Sequence, residues 1–356
     1  MIVSLHDASD PPAGSAGNRG LRPAANATMP SSHVADRSTG SAPRWEESVE
    51  RLSDEMKRVQ AAVGGVIRGK DAVVSKVLTA MLAGGSILLE DVPGVGKTTL
   101  AKCITTLMGL EFGRVQCTPD LLPADILGGP IFRPATGEFE FRPGPIFCNL
   151  LIADEVNRAS PRTQSALLEA MAESQVTIDG SRYDLRRPFI VIATQNPDGF
   201  EGTFPLPESQ LDRFLIRMEM DYPDAESEVA LLVEPEMDAV DLPSVITAER
   251  FAHYQRCVSR VSVSRPIAEY LVSIVAATRI DPRIEVGVSP RGSKMWLSAA
   301  RASAALQGRT YILPDDLQQT ATGVLPHRMT ARSSVATHGD LVAVIDDWVG
   351  RVPVPV

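Results

Sequence analysis

The chain has 356 residues, of which 44% are hydrophobic, and a formal net charge of -9. This length exceeds what one hydrophobic core usually holds, so we expect a globular protein with more than one domain. The acidic balance argues against sequence-independent binding of nucleic acid, which requires a positively charged surface.

The cysteines and histidines show no spacing that is typical of a metal site. The four cysteines are scattered along the chain. Because Cys103, Cys117 and Cys148 fall in or near predicted apolar elements, we expect buried, reduced thiols. The five histidines are also unclustered, so a zinc or iron site is not expected.

The N-terminal residues 1–43 are rich in Ala, Ser, Gly, Pro and Asp, which predicts a disordered segment. They do not contain a basic stretch followed by an apolar one, as a secretion signal would. The longest nearly apolar run, Val77–Leu89, is too short to cross a bilayer. These features predict a soluble cytoplasmic protein without a membrane span.

Two helices are predicted before the first strand. Apolar residues recur at spacings of three and four from Val49 to Val59 and again from Val73 to Met81, which is the pattern of an amphipathic helix. The apolar run Ile87–Leu89 then predicts a strand.

The segment after this strand carries the most informative motif. It reads Val92, Pro93, Gly94, Val95, Gly96, Lys97, Thr98 and Thr99. A strand, a glycine-rich loop and a helix in this order predict a phosphate-binding loop, because glycines let backbone N–H groups close around anionic oxygens. Lys97 is expected to reach the β- and γ-phosphates of ATP, and Thr98 to bind Mg²⁺. Asp91 departs from the motif, which usually has glycine there.

Two further apolar runs are predicted to end in polar side chains at one edge of a parallel sheet. Leu150–Ala153 leads into Asp154 and Glu155, and Phe189–Ala193 leads towards Asn196. We expect Asp154 to face Mg²⁺ and Glu155 to polarise the attacking water. Asn196 would orient that water or contact the γ-phosphate, although a plain Asn-Pro turn is the alternative.

Strands that alternate with helices predict an α/β fold with a mostly parallel sheet and helices on both faces. The remaining strands are expected at Phe112–Cys117 and Phe214–Met218. Two β-hairpins should interrupt the alternation, around the turns Pro134–Gly137 and Asp179–Arg182. After Tyr222 the pattern is helical throughout, which predicts a separate all-α region.

The chain resembles the MoxR family of AAA+ ATPases from about Val66 to His327. Beyond the phosphate-binding loop, the resemblance is carried by Asp154–Ala159, Gln164–Met171, Ala193–Pro197, Leu206–Phe214 and Gly287–Gly292. It implies an AAA+ P-loop core at residues 44–222 with β-hairpin inserts, followed by a C-terminal all-α lid at residues 223–356.

The resemblance also implies a homo-oligomeric ring, usually a hexamer, with ATP bound at the subunit interfaces. Arg213 matches the arginine finger that acts on a neighbour's ATP, and Arg291 matches the sensor-2 arginine that reports the nucleotide state to the lid. A guanidinium suits the role of arginine finger because it stays charged and presents several N–H donors to phosphate oxygens. The resemblance also bears on the two predicted β-hairpins. In ring relatives, hairpins at these positions contact the substrate in the pore. The alternative is that the hairpins only extend the sheet.

Functions of three classes are compatible with these features. The favoured one is a chaperone-like ATPase that matures or activates a partner protein, in this family often one with a von Willebrand A domain. A nucleic-acid-remodelling motor is the second, and the acidic charge counts against it. A non-hydrolysing nucleotide switch or scaffold is the third; Glu155 and Arg213 argue against it, and only Asp91 favours it.

Overall fold

The chain folds around a parallel sheet of five strands. The structure, a computed structural model, describes residues 44–90, 94–196, 202–233, 242–332 and 338–355. The segment 1–43 and the loop residues Val92 and Pro93, for which we made predictions, lie outside these ranges. Within the described ranges, no helix has the length and apolar character that a bilayer span requires.

The strands, in chain order, are β1 (Ile87–Glu90), β2 (Phe112–Gln116), β3 (Gly128–Arg133), β4 (Glu138–Pro143), β5 (Leu150–Asp154), β6 (Gln175–Ile178), β7 (Ser181–Asp184), β8 (Ile190–Gln195), β9 (Ile216–Met218), β10 (Ile284–Val286) and β11 (Thr330–Ala331). The helices are α1 (Trp45–Val66), α2 (Asp71–Leu82), α3 (Lys97–Leu107), α4 (Pro123–Leu127), α5 (Pro161–Glu173), α6 (Glu208–Leu211), α7 (Ala225–Val233), α8 (Ala248–Val258), α9 (Arg265–Ile280), α10 (Pro290–Leu306), α11 (Pro314–Val324) and α12 (His338–Arg351).

The order of strands across the central sheet is β2-β5-β8-β1-β9, and every neighbouring pair is parallel. Gln116 is opposite Asp154 in the β2–β5 pair, and Glu90 is opposite Gln195 in the β1–β8 pair. The polar strand ends predicted from the sequence therefore meet at one edge of the sheet, where open α/β folds bind ligands.

The sheet separates two apolar cores, as the prediction of helices on both faces requires. Alternate strand residues point to opposite faces, so Ile87 and Leu89 join one core while Leu88 joins the other. The first core includes the buried faces of α1, α2 and α3, and the second includes that of α5. Strands β1 and β5 are buried along their whole length, which explains their continuous apolar runs.

Both predicted β-hairpins are present, as β3–β4 and β6–β7. Asp179 and Gly180 both have positive φ, at 48° and 77°, as the favoured two-residue turn requires. The hairpins contact each other through Phe141 and Tyr183, whose rings stack with centroids 4.1 Å apart. Further along the first hairpin, Phe132 and Phe139 remain 50% and 71% exposed.

The region after Tyr222 is mainly helical, as predicted, but it is not wholly α. The short strands β10 and β11 pair antiparallel and join the loop after α9 to the segment after α11. No sequence pattern predicted this pairing, because each strand is too short to show a period-two pattern.

Asp281, just after α9, connects the β10 strand to the last helix. Its carboxylate accepts hydrogen bonds from the Arg283 side chain at 2.9 and 2.7 Å and from the indole N–H of Trp348 at 3.0 Å. The Arg283 hydrogen bonds hold the pKa of Asp281 well below its usual range. The carboxylate therefore stabilises this junction at every pH at which it is ionised.

We predict that Asp281→Asn lowers the free energy of unfolding by about 1–3 kcal/mol at pH 7, because it weakens charge-assisted hydrogen bonds at a partly buried junction. Because the folded-state pKa is depressed, this contribution is complete above the unfolded-state value of about 3.9 and disappears as the pH falls below it. Urea denaturation at pH 7 and at lower pH measures both effects. Glu269→Gln, which breaks the exposed Arg265–Glu269 pair, is the control and should cost less than about 1 kcal/mol. Equal losses for the two variants would contradict the prediction.

Candidate active site

The carboxyl ends of β2, β5 and β8 and the loop after β1 enclose a cleft of about 350 Å³, which is large enough for a small-molecule ligand. The loop and the first turn of α3 contribute Gly94, Gly96, Lys97, Thr98 and Thr99. The strand ends contribute Arg114, Gln116, Asp154, Glu155, Thr194, Gln195 and Asn196. Val95, also predicted as a site residue, packs against the apolar core instead.

The described part of the loop has the backbone conformation that an anion site needs. Gly94 and Gly96 both have φ of 91°, a region that side-chain-bearing residues rarely adopt. A Cβ at either position would have no atom within 4 Å, so the glycines are required by the backbone and not by crowding. Gly96 caps α3, so the first N–H groups of that helix lie at the cleft, where they favour negative charge.

Asp154 is buried at the end of β5, and Arg114 is its counter-ion. Arg114 Nε donates to Asp154 Oδ2 at 2.8 Å from the neighbouring strand β2. The Thr194 hydroxyl donates to Oδ1 of the same carboxylate at 3.4 Å. We expected Mg²⁺ to compensate this buried charge, and the structure shows that the chain also supplies a guanidinium for it.

The backbone of Glu155 is left-handed, with φ of 54° and ψ of 49°. Such a conformation costs about 1–3 kcal/mol for a residue other than glycine and persists only where its surroundings hold it. The Thr194 hydroxyl helps to do so, because it accepts the Glu155 N–H at 2.9 Å. One hydroxyl on β8 thus orients both acidic residues at the end of β5.

The Glu155 carboxylate accepts a hydrogen bond from Arg158 at 2.7 Å, within the short 3₁₀ turn that follows β5. Both side chains are partly exposed, so the pair stabilises the fold by less than about 1 kcal/mol. A contact this weak holds the carboxylate at the cleft without preventing it from turning towards a ligand.

The residues of the cleft fit a magnesium–phosphate ligand. Mg²⁺ prefers oxygen ligands and commonly takes only one or two from a protein, with the rest from water and phosphate. Thr98 and Asp154 supply such oxygens from two sides of the cleft. No cluster of three or more His, Cys, Asp or Glu suited to a metal occurs in the described part of the chain, so these residues do not form an all-protein cage.

Cys117 lies directly after β2, near this carboxylate pair. Burial, and then the charges of Asp154 and Glu155, raise the pKa of its thiol to about 12. The thiol is therefore protonated at neutral pH and does not act as a nucleophile. All four cysteines of the chain are buried thiols, as predicted for Cys103, Cys117 and Cys148.

Arg213 and Arg291 do not line the cleft of their own chain. Arg213 follows α6 and donates to the Leu168 carbonyl oxygen of α5 at 3.1 Å. Arg291 lies in the first turn of α10, with its Nε 3.6 Å from Asp212 Oδ2. The structure thus places both arginines beside Asp212, at the junction between the sheet and the C-terminal helices.

Several residues of this site were missed by sequence reasoning. Arg114 could have been noticed as a charged residue inside a predicted strand, on the same face as Gln116. Thr194 was within a motif that we quoted, but only the pairing of β8 with β5 shows that its hydroxyl reaches both acids. The role of Arg158 depends on the left-handed backbone of Glu155, which the sequence does not reveal.

Comparison with known proteins agrees with this geometry. Residues 86–216 match the ATPase family associated with various cellular activities (AAA), and residues 276–347 match the AAA lid domain. The chain is 35% identical over 309 residues to the chaperone MoxR1 of Mycobacterium tuberculosis, covering 84% of this chain and 82% of that protein. The chain belongs to the MoxR family of AAA+ ATPases.

Other relatives support the same family. The uncharacterized protein YeaC of Bacillus subtilis is 47% identical over 297 residues, covering 83% of this chain and 93% of that protein. The crystal structure of a candidate ATPase from Cytophaga hutchinsonii superposes with a TM-score of 0.80 at 34% identity, covering 87% of this chain and 98% of that one. As a MoxR-family protein, the chain has the AAA+ core and helical lid that the sequence implied.

We predict that Thr194→Val lowers the free energy of unfolding by about 1–3 kcal/mol, because it leaves the Glu155 N–H without its acceptor. Thr105→Val is the matched control. Both threonines are 3% exposed, but the Thr105 hydroxyl donates to carbonyl oxygens of its own helix, those of Ala101 and Lys102, each at 2.9 Å. Chemical denaturation of both variants measures the difference. Equal costs would show that the Thr194 hydroxyl does not support the backbone of Glu155.

Proposed function

We propose that this MoxR-family protein hydrolyses Mg-ATP at the subunit interfaces of a homo-oligomeric ring and uses the cycle to remodel or activate partner proteins. The observation that carries the proposal is the cleft itself. It places the N-terminus of α3, with Lys97 and Thr98, opposite Asp154, Glu155 and Asn196. This arrangement suits phosphoryl transfer, in which catalysis consists mainly of positioning and charge stabilisation.

Each residue then has a separate task in the proposed reaction. Lys97 binds the β- and γ-phosphate oxygens, together with the N–H groups of the loop. Thr98 and Asp154 would hold Mg²⁺ through their oxygens, and a bound ion would supply positive charge next to the phosphoryl oxygens. Glu155 accepts a proton from the attacking water, and Asn196 orients that water.

Arg213 completes the site from the neighbouring subunit in this proposal. It does not line the cleft of its own chain, which fits a residue that acts on another chain. A ring supplies one such arginine to each cleft, and the family resemblance favours a hexamer. Arg291 belongs to the proposed lid and moves with it. Its contact with Asp212 therefore changes when the lid moves.

The proposed division of the chain follows from these tasks. Residues 44–222 form the nucleotide-binding core, and residues 223–356 form the lid. Hydrolysis moves the lid against the core, and the ring passes that motion to a partner.

The partner is a protein in this proposal, and the setting is the cytoplasm. The chaperone name of MoxR1 supports a protein client, and the family resemblance makes a von Willebrand A domain protein the first candidate. The exposed Phe132 and Phe139 of the first hairpin offer an apolar surface to such a client. Because the chain carries a net charge of -9, nucleic acid is disfavoured.

We predict that Glu155→Gln lowers the ATP turnover number by about 10²–10⁴-fold, the usual contribution of a general base. Its affinity for Mg-ATP should stay within a few-fold, because the amide keeps the shape of the side chain. Steady-state hydrolysis and equilibrium binding of a fluorescent ATP analogue measure the two effects. Glu173→Gln, an exposed position in α5, is the control. Wild-type turnover in Glu155→Gln would contradict the assignment, and binding without turnover in the wild type would favour a nucleotide switch.

We also predict that ATPase activity per subunit rises steeply with protein concentration as rings form, since each site needs an arginine from its neighbour. Arg213→Ala should lower the plateau by about 10³–10⁵-fold while keeping the sedimentation profile of the wild type. Arg256→Ala, at an exposed position of α8, is the control. Full activity from a chain that sediments as a monomer would contradict the ring proposal.

A further inference from the structure

A buried arginine joins the lid to the core of the same chain. Arg328 ends the 3₁₀ turn that follows α11, and only 1% of its side chain is exposed. Its guanidinium donates to the carbonyl oxygens of Phe214 and Leu215. Arg328 Nε also lies 3.1 Å from Asp212 Oδ1.

These acceptors belong to one short segment, residues 212–215, and Arg213 is in its middle. His327, the neighbour of Arg328, contacts the same place, with its Nε2 3.1 Å from the Phe214 carbonyl oxygen. The lid thus contacts the backbone on both sides of Arg213, although the Arg213 guanidinium itself points to α5.

The energetics of burial make this contact costly to break. Taking a guanidinium out of water is costly, so a buried arginine persists only where charges and hydrogen-bond acceptors are arranged around it. Burial lowers the pKa of Arg328 to about 10, and the nearby Asp212 opposes that shift. The side chain is therefore charged at neutral pH. Pulling it away from residues 212–215 would remove its counter-ion Asp212 and two carbonyl acceptors, and would leave acceptors such as the Val324 carbonyl oxygen.

The surroundings of Arg328 also include the start of α10, which carries Arg291. Gly292 has no side chain, and a Cβ there would come within 3.1 Å of Arg328 Cδ and 2.7 Å of Val288 Cγ1. The first turn of α10 can therefore pack closely on Arg328. Asp212 then lies between Arg328 and Arg291, whose Nε is 3.6 Å from Oδ2.

We propose that Arg328 is a positioning residue that fixes the Arg213 segment to the lid of its own chain, so that lid movement in one subunit sets the arginine finger in its neighbour's site. This inference rests on the proposed role of Arg213 at the subunit interface. It adds a route by which the nucleotide state of one cleft reaches the next: from the lid, through Arg328 and residues 212–215, to the neighbouring ATP.

A mixed-subunit experiment separates this role from a purely structural one. One parent subunit carries Arg213→Ala, so its own ATP site is intact but it offers no arginine finger to its neighbour. The other carries Glu155→Gln, so it offers the finger but its own site does not hydrolyse ATP. Co-expression with different affinity tags yields rings of both, and activity returns where a Glu155→Gln subunit completes an Arg213→Ala site. Arg328→Gln is then added to one parent at a time.

We expect Arg328→Gln to lower the recovered ATPase rate by about 10–100-fold when it is in the finger-donating subunit, since misplacing a reacting group by about 1 Å can cost 10²-fold. In the subunit that contributes the site, the same change should alter the rate by less than about twofold. Arg332→Gln, an exposed arginine four residues further on, is the matched control and should have no effect in either subunit.

A readout independent of turnover accompanies the rates. In Arg328→Gln rings, backbone hydrogen exchange of residues 212–215 should become faster, while the affinity for a fluorescent ATP analogue stays within about threefold. If Arg328→Gln does not fold, Arg328→Lys replaces it, because lysine keeps the charge but loses the planar fork that reaches several acceptors. Unchanged exchange of residues 212–215 in the folded variant would overturn the inference.

The possible failures are distinguishable. Equal loss in both subunits, or loss confined to the site-contributing subunit, would overturn the positioning role of Arg328 and leave the proposed function intact. If the two parents recover no activity when mixed, Arg213 does not act between subunits. The proposed ring mechanism then fails, and the inference fails with it.

Discussion

In a parallel sheet all strands end at the same edge, and the site of this protein depends on that constraint. Strands β1, β5 and β8 are adjacent, yet their polar ends are widely separated along the chain. The register places Ala153 beside Ala193 and Glu90 beside Gln195, so the acids after β5 lie next to Thr194. Changing this register by one residue would point every side chain to the other face, and the cleft would lose its functional groups.

The second requirement is to hold acidic groups at this edge, where Asp154 and Glu90 are buried and Glu155 is partly exposed. Each has a guanidinium partner: Asp154 pairs with Arg114, Glu155 with Arg158, and the buried Glu90 with Arg217. These pairs differ in exposure, and the partly exposed Glu155–Arg158 pair is the weakest. The residue proposed to act on water is therefore free to turn, while Asp154 and Glu90 are held.

Local charge also explains how an acidic chain can bind an anion. The net charge of -9 is spread over the whole protein, whereas a bound phosphate interacts mainly with groups within a few ångströms. At the cleft the groups that attract an anion are Lys97, Arg114 and the N-terminus of α3. The net charge thus influences which partners the protein attracts, whereas the groups at the cleft determine whether an anionic ligand binds there.

The sequence by itself determined the fold class, the glycine-rich loop before α3, the hairpins and the family, because each depends on local patterns: apolar runs, glycines at turns and contiguous motifs. Tertiary structure decided which side chains meet. Arg114 and Thr194 reach Asp154 only through strand pairing, and Arg328 reaches residues 212–215 only because the lid folds back on the core. Leu325-Pro326-His327-Arg328 carries no local signal for that contact, since burial of a charge depends on acceptors more than a hundred residues away. Contacts within a segment follow from its own residues, whereas contacts between distant segments depend on how the whole chain packs.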